Sequence, residues 1–337
     1  MADKVAVIES ALGVCIVNWR AAELTIDCLR SLEPQVGEFR WCRVFVVDNA
    51  SGDGSAEKIA AAVHEAGWGD WVELIRADTN GGFAAGNNLA IRRLLRERPD
   101  VDYVHLLNPD TVVRPQALSI LVKFLEAHPE VGVAGGRSED PDATPQLCCF
   151  RFPSRTGELL AYLRIGLVDR LLASRLGRVG IPEQPIPIDW VSGAHMMIRR
   201  EVIDAIGLLD EGYFLYYEET DFTLRARRAG WRCWHVPESR VVHYVGQSSG
   251  VTRREGTPQR VPRYWFESRR RYFMLNHGRA YAMVADALAI AAFALWRGRR
   301  WLQRKPDRDP PGFLRDLFRG SSLLHGRATL GPRQSAL

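Results

Sequence analysis

The first 130 residues alternate between short, wholly apolar runs and segments with helical spacing. Residues 13–19 (GVCIVNW) are apolar up to a polar end, the pattern of a strand buried on both faces. Residues 22–32 place Leu24, Cys28, Leu29 and Leu32 at helical intervals. Residues 43–47 (RVFVV) predict a second buried strand, stopped by the turn sequence DNASGDG at 48–54. Asp53 or Ser55 is placed to cap a helix running to Val63. Residues 72–76 and 103–107 (YVHLL) predict a third and a fourth strand, and helices are expected at about 84–96 and 116–127. Such alternation implies an α/β fold, a mostly parallel central sheet flanked by helices.

The pattern changes after Pro141. A leucine-rich helical stretch at 157–177 is punctuated by Arg164, Arg170 and Arg175. Residues 189–198 read as extended, 218–228 as a helix, and 231–236 and 240–244 as two short strands. From Tyr264 onward the chain looks helical and basic.

Charge sharpens this division. Residues 251–337 hold 18 Lys/Arg against 6 Asp/Glu, whereas residues 1–250 hold 27 against 34. A mildly acidic body thus carries a basic extension suited to an anionic partner, a membrane face or nucleic acid. No nucleic-acid-binding motif accompanies the charge, so nucleic acid is not expected. The six cysteines form no CxxC pair, which argues against a zinc ribbon or a thioredoxin motif. The opening MADKVAVIES does not read as a signal peptide, and no run of 18 uninterrupted apolar residues is present, so a cytosolic compartment is expected. The 337-residue length suits one large domain plus an appendage.

In open sheets, ligands bind beyond the carboxyl ends of the strands. That rule selects the loops at 18–20, 48–54 and 108–111. Asp48, at a strand end, can accept the N3–H of a uracil or thymine ring, or can simply close a turn. Asn80-Gly81-Gly82-Phe83-Ala84-Ala85-Gly86-Asn87 places three glycines between a strand and a helix, where backbone can approach a ligand closely. It matches neither GxGxxG nor the P-loop pattern. Asp110, in Asn108-Pro109-Asp110-Thr111, is suited to a divalent ion against a diphosphate, or to an ordinary proline turn. Glu218, Glu219 and Asp221 crowd three carboxylates beside the aromatic run 213–217; repulsion and drying raise pKa and favour a general base. A helix-opening acidic turn is the alternative. His243 can complete a metal shell begun by a carboxylate, or sit in a core.

Taken in order, VCIVNW, VVDNAS, NGGFAAGNN, LLNPDT, WVSGAHMMIRR, FLYYEETDFTLRARRAGW and VVHYVGQS resemble the inverting family 2 glycosyltransferases of the GT-A (nucleotide-diphospho-sugar transferase) fold, most of all their bacterial rhamnosyltransferase-like branch. The resemblance runs from about residue 14 to 249, with an echo in ESRRRYFMLNHG at 267–278. It implies a GT-A catalytic domain at 1–250, with a donor half to about 135 and an acceptor half beyond, and a helical basic extension at 251–337. It makes Asp48 the contact to the base and places Val17, Asn18, Asn80, Gly82, Phe83, Gly86 and Asn87 around the nucleoside. Asn108 and Asp110 fill the place of the wider fold's DxD, with Asp110 and His243 as ligands to Mg²⁺ or Mn²⁺. Glu219 aligns with the catalytic base, usually Asp in an E-D-x-D arrangement, and Glu218 or Asp221 could serve instead. Trp190, Ser192 and Gly193 would line the acceptor side.

The resemblance therefore implies metal-dependent inverting transfer from a dTDP- or UDP-sugar to a saccharide or polyprenyl-linked acceptor in surface polysaccharide assembly. Residues 280–296, apolar but for Asp286 and followed by arginines, suggest peripheral contact with the inner face of an anionic membrane. Two other readings are a sugar-nucleotide nucleotidyltransferase, whose Gly-rich basic loop is missing after the first strand, and an inactive scaffold of the same fold.

Overall fold

The structure, a computed structural model, describes residues 7–165, 179–244, 258–326 and 330–335. The leucine-rich stretch beyond residue 165 and the end of the last motif, residues 245–248, lie outside them. The first half runs β1 (Ile8–Asn18), α1 (Ala22–Val36), β2 (Phe39–Asp48), α2 (Ser55–Glu65), β3 (Val72–Arg76), α3 (Gly82–Glu97) and β4 (Tyr103–Leu107). Alternation of small apolar residues along β1 explains its double burial. Leu12, Val14 and Ile16 face one core with Leu29, Ile59 and Leu121, whereas Ala11 and Cys15 face the other with Ile91, Leu94 and Phe222.

The second half contains β5 (Thr111–Val113), α4 (Ala117–Ala127), β6 (Val131–Glu139), β7 (Cys149–Phe150), α5 (Arg155–Leu163), β8 (Ile186–Ile188), β9 (Trp190–Val191), β10 (His195–Arg199), α6 (Arg200–Ile206), α7 (Glu218–Arg228) and β11 (Arg232–His243). The main sheet has the order β3-β2-β1-β4-β10-β6-β11-β5, with β8 beside β11. It is parallel from β3 to β4, and β10 then enters antiparallel to both β4 and β6. The sheet is thus mixed, and parallel in its first half.

Three details depart from the sequence pattern. The two short strands expected at 231–236 and 240–244 are one strand, β11, whose register against β6 shifts between Val236 and Arg240. Strand β6 (VGVAGGRSE) was not foreseen, because Gly135 and Gly136 are poor strand formers. They are needed there: a Cβ at Gly135 would strike Val191, and one at Gly136 would strike His195. At α2 the N-cap is Gly54 in the left-handed region; Asp53 nonetheless accepts the Ser55 amide at 3.1 Å.

Beyond the sheet lie α8 (Arg263–His277), α9 (Arg279–Leu302) and α10 (Phe313–Arg319). They pack through apolar clusters such as Phe266, Phe293 and Phe313, and through buried ion pairs. Arg269 is held by Glu158 at 2.7 Å and by Asp286, whose other oxygen accepts the Ser322 amide and hydroxyl at 2.6 and 2.5 Å. Arg271 forks onto Asp210 at 2.9 and 3.0 Å. Asp286, the lone charge in the apolar stretch, therefore points inward. The helix continues past that stretch to 24 residues, long and apolar enough to cross a membrane by length and composition, with a third of its most apolar window buried.

Candidate active site

Sheet topology assembles the site. Parallel strands end at the same rim, so Asn18 stands beside Asp48 in register, and Leu107, paired with His195, delivers Asn108 just beyond. The antiparallel entry of β10 brings Ser192, Gly193 and Ala194 to that rim, where the Asn108 amide donates to the Ala194 carbonyl at 3.1 Å. Strand β11 ends there too. His243 pairs with Thr111, and the Tyr244 amide donates to the Asp110 carbonyl at 2.9 Å.

His243 Nε2 consequently lies 3.4 Å from Asp110 Oδ1 and 3.3 Å from Asn108 Nδ2. Asp110 is buried and His243 nearly so. A carboxylate, an imidazole and an amide at one point form a donor set of the kind that fits a divalent cation.

These three groups share a cavity of about 380 Å³ with Val17, Asn80, Gly82, Phe83, Ser192 and Gly193. Glu218 and Glu219 open onto the same cavity. They are delivered by the turn into α7, where Tyr216 and Tyr217 both adopt φ of 71°, a costly conformation for side-chain-bearing residues. The Oε2 atoms of both glutamates are buried without a hydrogen-bond partner among the described residues. Burial pushes the Glu219 carboxyl up to about 7, against the pull of the amides of Glu219, Gly193 and Thr220. Glu218 is raised well above the usual carboxylate range, by burial and then by the Glu219 charge. Such values suit a base working near neutrality.

Gly82 shows why glycine is required in the turn before α3. Its φ is +83°, and a Cβ would collide with the Phe214 carbonyl oxygen, which accepts the Phe83 amide at 2.8 Å. The turn is thereby docked onto the aromatic loop that leads into Glu218. Gly86 has a different purpose: it lets α3 approach Val17.

The expected residues are not all gathered. Asn18, Asp48, Gly86, Asn87, Trp190 and Asp221 stand outside the cavity lining. Asn18 is buried in a network, donating to Asp48 Oδ1 at 2.7 Å and accepting from Thr25. Asp48 also accepts the Ser51 hydroxyl at 2.6 Å and amide at 3.1 Å, which fixes the turn that projects Asn49 into the cavity. Asn87 donates back to the Phe83 carbonyl within α3. The Trp190 indole stacks on Phe150 with centroids 4.3 Å apart and donates to the Arg151 carbonyl. Asp221 is enclosed by Arg225, Arg333 and Asn276 at 2.7–2.9 Å.

Other lining residues were not foreseen. Asn49 interlocks with Asn80, its Nδ2 donating to the Asn80 Oδ1 at 2.9 Å. Trp19 and Phe214 are each 39% exposed at the mouth. Tyr264, from the start of α8, faces Phe214 and Tyr216 at centroid distances of 5.3 and 6.2 Å. The aromatic run at 213–217 was visible in the sequence; nothing local marked Tyr264.

A mixed sheet whose strand ends gather carboxylates, a histidine and aromatic rings around one cavity has the architecture of the GT-A fold. The chain belongs to the family described as Glycosyltransferase like family 2, whose model matches residues 10–261. It is a glycosyltransferase. Among its relatives is the N-acetylglucosaminyl-diphospho-decaprenol L-rhamnosyltransferase of Mycobacterium tuberculosis, 28% identical over 214 residues, which cover 61% of this chain and 68% of that one. Another is the low-salt glycan biosynthesis hexosyltransferase Agl10 of Haloferax volcanii, 30% identical over 64% of this chain and 62% of its own. The mannosyltransferase PcManGT from Pyrobaculum calidifontis, solved with GDP-Man and Mn²⁺, shares the fold at a TM-score of 0.51 and 17% identity, over 94% of this chain and 88% of that one.

Proposed function

We propose that this enzyme is an inverting, divalent-cation-dependent transferase. It would move a rhamnose-type sugar from a dTDP- or UDP-donor to a saccharide or polyprenyl-linked acceptor in cell-surface polysaccharide assembly. The observation that carries the proposal is the meeting in one cavity of Asp110, His243 and a Glu219 carboxyl whose Oε2 has no hydrogen-bond partner among the described residues. The rhamnosyltransferase relative, named for a lipid-diphosphate acceptor, supports the choice of sugar and acceptor class.

Asp110 and His243, with Asn108 beside them, would hold the cation. When bound, the cation neutralises the charge that develops on the departing nucleoside diphosphate. Glu219 takes the proton from the acceptor hydroxyl as that oxygen attacks the anomeric carbon. A single displacement inverts the centre and needs no second, nucleophilic carboxylate. Phe214, Tyr216 and Tyr264 offer ring faces for sugars. Among the described residues Asp48 Oδ2 accepts the Ser51 amide and no other hydrogen bond, which leaves one acceptor direction for the N3–H of a uracil or thymine ring.

The enzyme would work peripherally on the inner face of the cytoplasmic membrane. The outward side of α9 supports this reading. Val284, Leu295, Trp301 and Leu302 are exposed along it, the last three by 64–77%, and Arg297, Arg299, Arg304 and Lys305 flank its end.

Titration with UDP- and dTDP-sugars, with and without Mn²⁺, tests the site. The Asp110→Ala protein should lose the cation-dependent part of donor affinity and keep the remainder. Wild-type affinity indifferent to the cation would overturn the assignment.

A further inference from the structure

Behind the acceptor-side wall lies a second cluster of metal-type donors. Cys148 and Cys149 precede and open β7, and His235 comes from β11; their Sγ and ring-nitrogen atoms all lie within 4.8 Å of one another. All three residues are buried, His235 completely. Adjacent residues of a strand point to opposite faces, yet the two sulfurs here converge to 3.9 Å. That spacing is close to the edge of about 3.8 Å that two zinc–thiolate bonds of about 2.3 Å subtend in a tetrahedron.

His235 supplies an independent sign. Among the described residues no hydrogen bond of normal geometry reaches either of its ring nitrogens, although the Gly135 carbonyl faces the ring. A buried imidazole left so is costly, and a ligand on one nitrogen with a carbonyl near the other is the usual setting of a metal-bound histidine. Cys233 lies two residues before His235 on the same face of β11, within electrostatic reach of Cys149, and offers a fourth donor. The Cys148 and Cys149 thiolates, a neutral imidazole and a divalent ion sum to zero charge, which an apolar interior tolerates, and a Cys233 thiolate as fourth ligand would leave one net negative charge.

We infer that Cys148, Cys149 and His235, with Cys233 beside them, form a structural site for a thiophilic cation of the zinc type, separate from the donor-sugar cation at Asp110 and His243. The CxxC spacing sought in the sequence is absent because the fold, not a local loop, gathers the ligands. The site would staple β7 and β9 to β11 under the cavity. Cys149 pairs with Val191, and the Ser192 amide donates to the Cys148 carbonyl at 3.3 Å. Coordination would release the thiol protons to solvent, with no change of oxidation state.

The test uses the full chain, expressed with zinc and purified without chelator. Elemental analysis should find one zinc per chain, released in step with thiol modification by a mercurial reagent. Replacement by Co²⁺ should give a thiolate-to-metal charge-transfer band in the near ultraviolet. Cys149→Ser and His235→Ala should lose that band, whereas Cys42→Ser and Asp110→Ala should keep it. Zinc at background in the wild-type protein with no cobalt band, or a Cys148–Cys149 disulfide found by mass in freshly purified protein, would overturn the assignment. The wild-type measurements decide the matter even if a variant fails to fold.

Discussion

Two regions of this molecule bury charge in opposite ways. Around α8 and α9 buried charge is largely matched: Arg269 lies between Glu158 and Asp286, and Arg271 grips Asp210, while Arg270 meets the Gly320 carbonyl instead of a carboxylate. At the start of α7, Glu218 is buried and Glu219 half-buried, and an oxygen of each is enclosed without a partner among the described residues. The contrast recurs within one helix turn, because Asp221, two residues past Glu219, is surrounded by Arg225, Arg333 and Asn276. Matched charge orders a fold, whereas unmatched charge is a cost borne for chemistry.

The largest test of this contrast is Glu219→Gln. Transfer should fall roughly a hundred- to ten-thousand-fold, while donor affinity stays near wild type. Steady-state kinetics beside donor titration reads both, and retained turnover would shift the base to Glu218. Asp286→Ala should act on the other side of the comparison. It strips Arg269 of one partner and should cost about 3–5 kcal/mol in urea unfolding. A cost near zero would break the claim that the extension is locked by paired charge.

Acidity gives a finer test, with opposite signs at neighbouring positions. Because Glu219 is raised to about 7, kcat should climb as pH rises through that value. The folded state also holds this proton more tightly than the unfolded chain. Wild type should therefore lose stability relative to Glu219→Gln as pH rises from about 4.5 to 7. For Asp221, burial acts to raise the pKa, but Arg225, Arg333 and Asn276 outweigh it and hold the carboxyl below its usual range. Its stabilisation is present above the ordinary carboxylate pKa and is lost as pH falls through its depressed value. Asp221→Asn should flatten the acid limb of a Tm-versus-pH curve. The smallest effect concerns the surface of α9: Trp301→Glu with Leu295→Glu should reduce flotation with anionic vesicles and leave turnover on a soluble acceptor unchanged.

The sequence made the first half legible because each of its elements is written locally. Strands β3 and β4 coincide with the hydrophobic pattern residue for residue, as α7 does in the second half, and the strand-end loops were found by where apolar runs stop. The resemblance to family 2 and the GT-A fold are borne out by the family match and the shared architecture. What stayed hidden depends on contacts between distant segments. Trp190 looked like a sugar platform, yet Phe150, 40 positions earlier, occupies its face. Tyr264 reaches the cavity because apolar clusters and buried ion pairs together dock α8 there. Asn49 read as turn chemistry, and it is the Asp48 network that aims it inward.

The clasp on Asp221 also bears on how the enzyme comes into being. Arg333 is synthesised 112 residues after its partner, and Gln334 likewise reaches back to Asp210. A ribosome exposes the helix bearing Glu218 and Glu219 long before it exposes the cation that fastens that helix. The turn bearing Glu218 and Glu219 is therefore made well before its last fastening arrives, so a nascent or clipped chain that ends before residue 333 would hold those carboxylates on a looser mount.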